Sequence, residues 1–221
     1  MSLTRTQFEE ELEKLRNHII AMGSLVDGAV AGSMEALAQR DIRLAELVID
    51  ADDAIDEMDL SIEAECMRLL ALQHPLARDL RLVGTALKII TDLERIADHA
   101  VDIAKVARKL ANMGATREFA DLPRMASAVR EMLRNALDAF VRHDLNLVEV
   151  AVRADDEVDE LFHHVRDDLH AAMRRDPEVV VEASYLLFVS HYLERMADHA
   201  VNIAERVYFV ETGQLARTIK A

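Results

Sequence analysis

The chain has 221 residues, 51% of them hydrophobic and 30% charged, and a formal net charge of −15, enough apolar material for one large core or two small ones. So acidic a chain repels nucleic acid and anionic lipid, which leaves cations and basic protein surfaces as the better partners. Cys66 is the single cysteine; it excludes an intramolecular disulfide and, with an opening MSLTRTQFEEELEKL that lacks an apolar signal-like core, predicts a cytoplasmic protein without membrane insertion, since no apolar run approaches the roughly 18 residues of a membrane span.

Apolar residues recur at helical spacing from the start: Phe8, Leu12, Leu15, Ile19, Met22, Val26, Val30, Met34 and Leu37 predict one helix to about Arg40. Gly23, Gly28 and Gly32 interrupt it and read as places where a neighbouring helix approaches closely. Asp41 is the expected N-cap of a second helix that carries Leu44, Leu47, Val48, Ala51, Ile55, Met58 and Ile62 on one stripe to about Gln73. Pro75 then punctuates the chain. A third helix is expected over residues 76–113, with Gly114 as its C-terminal stop. Three long helices of this kind make a three-helix bundle.

The plan then repeats. Met125, Val129, Leu133, Leu137 and Phe140 match Met22, Val26, Val30, Met34 and Leu37 at a constant offset, and Asp144 answers Asp41 at the same one. Asp176, Pro177 and Glu178 form a strong start for the last helix, with a cap, a proline at the first position and an acid in the first turn. The clearest echo is ERIADHAVDIA, residues 94–104, which returns as ERMADHAVNIA, residues 194–204, with nine of eleven letters unchanged. Such a return marks an internal duplication. The fold class expected is all-α, two tandem pseudo-symmetric three-helix bundles, with repeats over residues 1–113 and 117–221 joined near residues 112–116.

Each repeat places acids at i and i+4, on one helical face about a turn apart. Asp52 with Asp56, and Glu94 with Asp98 and Asp102, stand in the first repeat; Asp155 with Asp159, and Glu194 with Asp198 and the neutral Asn202, stand in the second. These positions border the apolar stripes, so acids of adjacent helices are placed to meet, a common way to hold Mg²⁺, Mn²⁺ or iron in a bundle. The plainer reading is a solvated acidic face. Asp53 and Asp156 point elsewhere and read as surface, and Arg95 and Arg195 as surface partners of nearby acids. His99 and His199 lie about 100° from the acids and read as buried or supporting groups. His191, three residues before Glu194 where the first repeat has Thr91, is a candidate ligand. An all-oxygen first site would favour Mg²⁺ or Mn²⁺, and an imidazole in the second would shift it toward iron, nickel or zinc.

The segment LLALQHPLARDLRLVGTALKIITDLERIADHAVDIA, residues 69–104, and its echo YLLFVSHYLERMADHAVNIA, residues 185–204, resemble the PhoU family of phosphate-transport accessory regulators over nearly the whole chain. The resemblance implies a regulator, not an enzyme, that works as a homodimer with the ATPase subunit of a phosphate ABC transporter and a phosphate-sensing histidine kinase. It would repress the phosphate-starvation response and lie in the cytoplasm, peripheral to the inner membrane through those partners. It also implies metal, with multinuclear iron among the candidates, at Asp52, Asp56, Glu94, Asp98, Asp155, Asp159, Glu194 and Asp198. Ala97 and Ala197 stand where the family often has Gly, and Asp102 where Asn is common. Two other readings are a ferritin-like di-iron enzyme, for which only Glu160 with His163 has the Glu-x-x-His spacing, and a metal-free helical adaptor. No nucleophile–base pair, P-loop or dinucleotide fingerprint is present in the sequence.

Overall fold

The computed structural model describes residues 5–73, 75–113 and 121–214. Among them every regular element is helical: α1 (Arg5–Gln39), α2 (Ile42–Asp50), α3 (Asp52–Gln73), α4 (Ala77–Leu110), α5 (Asp121–Arg142), α6 (Leu145–Arg175) and α7 (Val180–Thr212), with one 3-10 turn at Pro177–Val179. The stripe expected on α1 is where its burial lies, since Leu15, Ile19, Met22, Val26 and Val30 are fully enclosed. One expectation needs correction here. By length and composition α1 is apolar enough to cross a membrane, but this enclosed stripe belongs to the bundle core.

The expected second helix is two. α2 ends at Ala51, whose ψ of −10° tightens the turn, and its N–H is shared between the carbonyls of Leu47 and Ile49. The break gives α3 an N-terminus of its own with Asp52 and Asp53 in the first turn, where the helix dipole favours negative charge. In the second repeat α6 runs unbroken through the matching Ala154, beside Arg153 rather than Asp50. The caps stand as expected: Asp41 accepts from the N–H groups of Arg43 at 2.8 Å and Leu44 at 3.1 Å, and Asp144 from that of Asn146 at 2.9 Å. Each follows a left-handed residue, Arg40 at φ 54° and His143 at φ 57°, so the duplication preserved even the backbone of this turn. Asp176 caps the 3-10 turn by accepting from Glu178 N–H at 3.0 Å, and α7 begins only after it. Gly114 and the start of the second repeat at residue 117 lie outside the described residues.

α1, α2, α3 and α4 form the first bundle and α5, α6 and α7 the second; α4 packs on α7 and α1 on α5. One continuous apolar core runs through both, from Phe8 to Val210. Along the central seam Arg78 meets Glu211, Asp92 meets His199, His99 meets Tyr192 and Lys109 covers Tyr185. Numbers rise on α4 as they fall on α7, so the helices are antiparallel, and the register centres on the repeated motif. The pseudo-twofold axis thus passes between residues 94–99 and 194–199. Asp27 and Arg130 occupy matching positions of α1 and α5 and pair across the same axis, at 2.7 and 2.8 Å. Gly23 permits the α1–α5 approach, because a Cβ there would overlap Leu137, and Gly32 faces Val48 at 2.9 Å from its would-be Cβ; Gly28 opens into space and needs another reason. Arg40 fastens the ends of the bundles, donating to the carbonyls of Leu110 and Met113 at 2.8 and 2.7 Å and to Glu182 at 2.6 Å.

Candidate functional site

The seam sets where the motif acids point. Ile96, Ala97 and Ala100 of α4, and Met196, Ala197 and Ala200 of α7, are buried, and small residues on both helices let their backbones approach. Glu94 and Asp98 are thereby turned to the α3 side and Glu194 to the α6 side.

In the first repeat the carboxylates of α3 and α4 feel one another. Burial, then the neighbouring carboxylates of Asp56 and Asp98, push the Asp52 carboxyl above its ordinary range, against Lys105. Burial and Asp98 push Glu94 up, with Asp59 and Asp56 adding to the rise and Arg95 opposing it. Asp52 thus stands toward Asp98, and Asp56 and Asp59 toward Glu94, as antiparallel helices require. Asp59 was not singled out from the sequence. Burial, Glu63 and Asp56 raise its carboxyl as well. The available signal was its place two turns after Asp52, on the same face. Asp102 bonds Lys105 at 3.1 Å, and its charge acts on His99 and Tyr192, so it belongs to the seam as much as to the patch.

The second patch is built alike and dressed differently. Asp155 is buried at 6% exposure, more deeply than Asp52. Burial and then Asp198 raise the Glu194 carboxyl; Asp159 adds to the rise, and His191 and Arg195 oppose it. Glu194 Oε2 is enclosed and makes no hydrogen bond; His191 Nδ1 lies 3.4 Å from it, with the imidazole largely in solvent. The Phe162 ring, 6.4 Å from that of His191, occupies the position that matches Asp59. Asn202 turns away to Asp92, at 3.4 Å.

Arg95 pairs with Asp98 at 3.0 Å and Glu94 at 3.4 Å, and Arg195 with Asp198 at 2.7 Å, as expected of them. Asp53 and Asp156 are exposed. His99 and His199 meet at the seam with ring centres 6.0 Å apart; His199 bonds Asp92 at 2.8 Å, while burial pushes the His99 imidazole below its ordinary range. Glu160 and His163 are both exposed on α6 and so do not form the inward-facing set that a ferritin-like centre needs.

A cation fits the donors present: oxygen-rich faces whose carboxylates are raised by burial and by one another, plus an enclosed carboxylate oxygen without a hydrogen bond. The side chains do not form a ready cage, since among the described residues no three His, Cys, Asp or Glu groups converge as ligands. The PhoU domain model matches twice, over residues 19–107 and 122–207, each match holding one complete acidic patch.

The chain belongs to the PhoU family. It is 38% identical to a phosphate-specific transport system accessory protein PhoU homolog of Clostridium acetobutylicum, over 96% of this chain and 97% of that protein. It is 37% identical to the homolog of Pseudomonas aeruginosa, over 96% and 88%. The crystal structure of PhoU from Pseudomonas aeruginosa superposes with a TM-score of 0.90 at 37% identity, covering 94% of this chain and 100% of that one. The phosphate transport system regulatory protein PhoU from Streptococcus pneumoniae gives 0.87 at 33%, covering 94% and 98%. These PhoU relatives are named as accessory or regulatory proteins, not as enzymes.

Proposed function

We propose that this chain is a cytoplasmic negative regulator of phosphate uptake and of phosphate-starvation signalling, acting as a homodimer through contacts with the transporter's ATPase subunit and a sensor histidine kinase. The observation that carries the reading is similarity over nearly the full length to proteins named as accessories of the phosphate-specific transport system. The repeats, residues 1–113 and 117–221, are the working units. Each would bind cations, the first through Asp52, Asp56, Glu94 and Asp98 with Asp59 beside them, the second through Asp155, Asp159, Glu194 and Asp198 with His191 at the edge. A bound Mg²⁺, Mn²⁺, Zn²⁺, nickel or iron ion would neutralise the clustered carboxylates. The acids hold α3 to α4, and α6 to α7, only when that repulsion is relieved.

Deleting the gene should leave a phosphate-starvation reporter on in phosphate-rich medium, and the wild-type gene should switch it off again; normal repression in the deletion strain overturns the regulatory reading. A metal-free adaptor is the second reading, favoured by the arginines that already pair with Asp98 and Asp198. Elemental analysis of protein purified without chelator, read with melting curves before and after chelation, separates the two. Identical melting across saturating Mn²⁺, Fe and Mg²⁺ decides for the adaptor.

A further inference from the structure

Leu60, Ala64, Met67 and Ala71 recur along α3 at i, i+4, i+7 and i+11 and so stand in one line about 16 Å long. All four are exposed, Leu60 at 65% and Met67 at 56%, while Ile55, Ile62, Cys66 and Leu69 on the opposite face fill the core. The second repeat is an internal control. Its matching positions on α6 are His163, Asp167, His170 and Arg174, all exposed. The fold therefore does not require apolar residues on this face. Asp53, Glu57 and Glu63 border the line and are exposed, and the one basic residue of α3, Arg68, is bound to Glu11.

From this we infer that the outer face of α3 is a docking ridge for a basic amphipathic helix of a protein partner. Leu60 and Met67 are two turns apart, the spacing at which an apolar helix face is read by anchors at i and i+7. The acids on both sides select lysines or arginines flanking that face. They also repel an anionic bilayer and the same acidic ridge of a second copy. The inference rests on the regulatory reading for the source of the partner, a basic segment of the transport machinery, but its test does not.

The probe is a fluorescent Leu/Lys amphipathic peptide of about 18 residues, titrated with the full chain at about 150 mM salt. Leu60→Ser with Met67→Ser should weaken binding about tenfold or more, and so should Glu57→Lys with Glu63→Lys. His163→Ser with His170→Ser, on the other repeat, should leave it unchanged. The changes lie on the surface, and an unaltered melting curve shows that each variant folds. Peptide binding that is equal in all variants, equal binding of a Leu/Glu peptide, binding to phosphatidylglycerol vesicles that the serine pair abolishes, or dissociation of a dimer by the serine pair would each overturn the proposal. In the deletion strain the serine variant should accumulate normally and fail to repress the reporter. If the wild-type gene also fails there, the phosphate reading falls while the peptide result stands.

Discussion

Between α3 and α4 the first repeat carries Asp59 and Thr91; at the same places between α6 and α7 the second carries Phe162 and His191. The first middle helix is broken at Ala51 and the second is continuous, and the leading acid is half-buried as Asp52 but buried as Asp155. Duplication preserved the scaffold and the four acidic positions on each helix pair. What drifted is the rim, which sets the charge and the ligand chemistry of each patch.

The sharpest division between the patches should come from their leading acids. In chelated protein, Asp155→Ala should lower stability by about 1–3 kcal/mol, because it disrupts a buried and engaged polar position. Asp52→Asn should raise it by a few tenths, about the repulsion of one like-charge pair at i and i+4. Melting curves of the same sign for both would show the difference in burial to be without energetic weight.

Metal preference comes next. With Asp198→Ala, leaving the first patch intact, Mn²⁺ should bind relatively better; with Asp98→Ala, leaving the second, Zn²⁺ should gain by about tenfold, and His191→Ala should remove that gain. Calorimetric titration of the three variants checks it. Matching affinities would reduce the asymmetry to neutral drift.

A smaller effect is the dependence of metal-free stability on pH. Asp52, Asp59 and Glu94 in the first repeat, and Glu194 in the second, hold their protons more tightly than ordinary carboxyls. The stability each contributes is therefore complete below its ordinary pKa of about 4 and is lost as pH rises through the raised value. Acidification from pH 7 toward 5 should strengthen the chelated fold through these groups. Replacing the three first-repeat acids by Asn, Asn and Gln should flatten the curve more than Glu194→Gln does. His99 works the other way: its lowered pKa makes its contribution present above about 6.5 and lost as pH falls through the lowered value. Equal flattening by both sets of variants would contradict the greater crowding of the first patch.

The least effect is expected where the repeats agree. Arg95→Ala and Arg195→Ala should each cost about 0.3 kcal/mol in chelated protein, since both pairs are exposed i, i+3 contacts. Unequal losses, read by denaturant titration, would mean the arginines belong to the asymmetry.

The helices and their apolar stripes were legible because they rest on period and local spacing. Phe8 to Val30 announced a core helix, and Asp41 and Asp144 announced their caps. The break at Ala51 was not, since the same residue continues the helix at Ala154; the flanking charge, Asp50 against Arg153, separates them. Asp92 with His199, and Asp27 with Arg130, were invisible because each joins positions far apart in the chain through helix packing. Asp59 lay within reach, four residues before Glu63, but its match in the second repeat is Phe162, so the duplication did not mark it.

Cys66 gives the first bundle a clock. Its thiol is fully enclosed beneath α3, and burial pushes its pKa up to about 12, while only the thiolate reacts with alkylating reagents. Labelling must then wait for the surrounding helices to part, and the second repeat carries no thiol to confuse the signal. The alkylation half-life measured with and without cations would thus time the opening of one repeat inside the intact molecule, in seconds or hours rather than in degrees of melting.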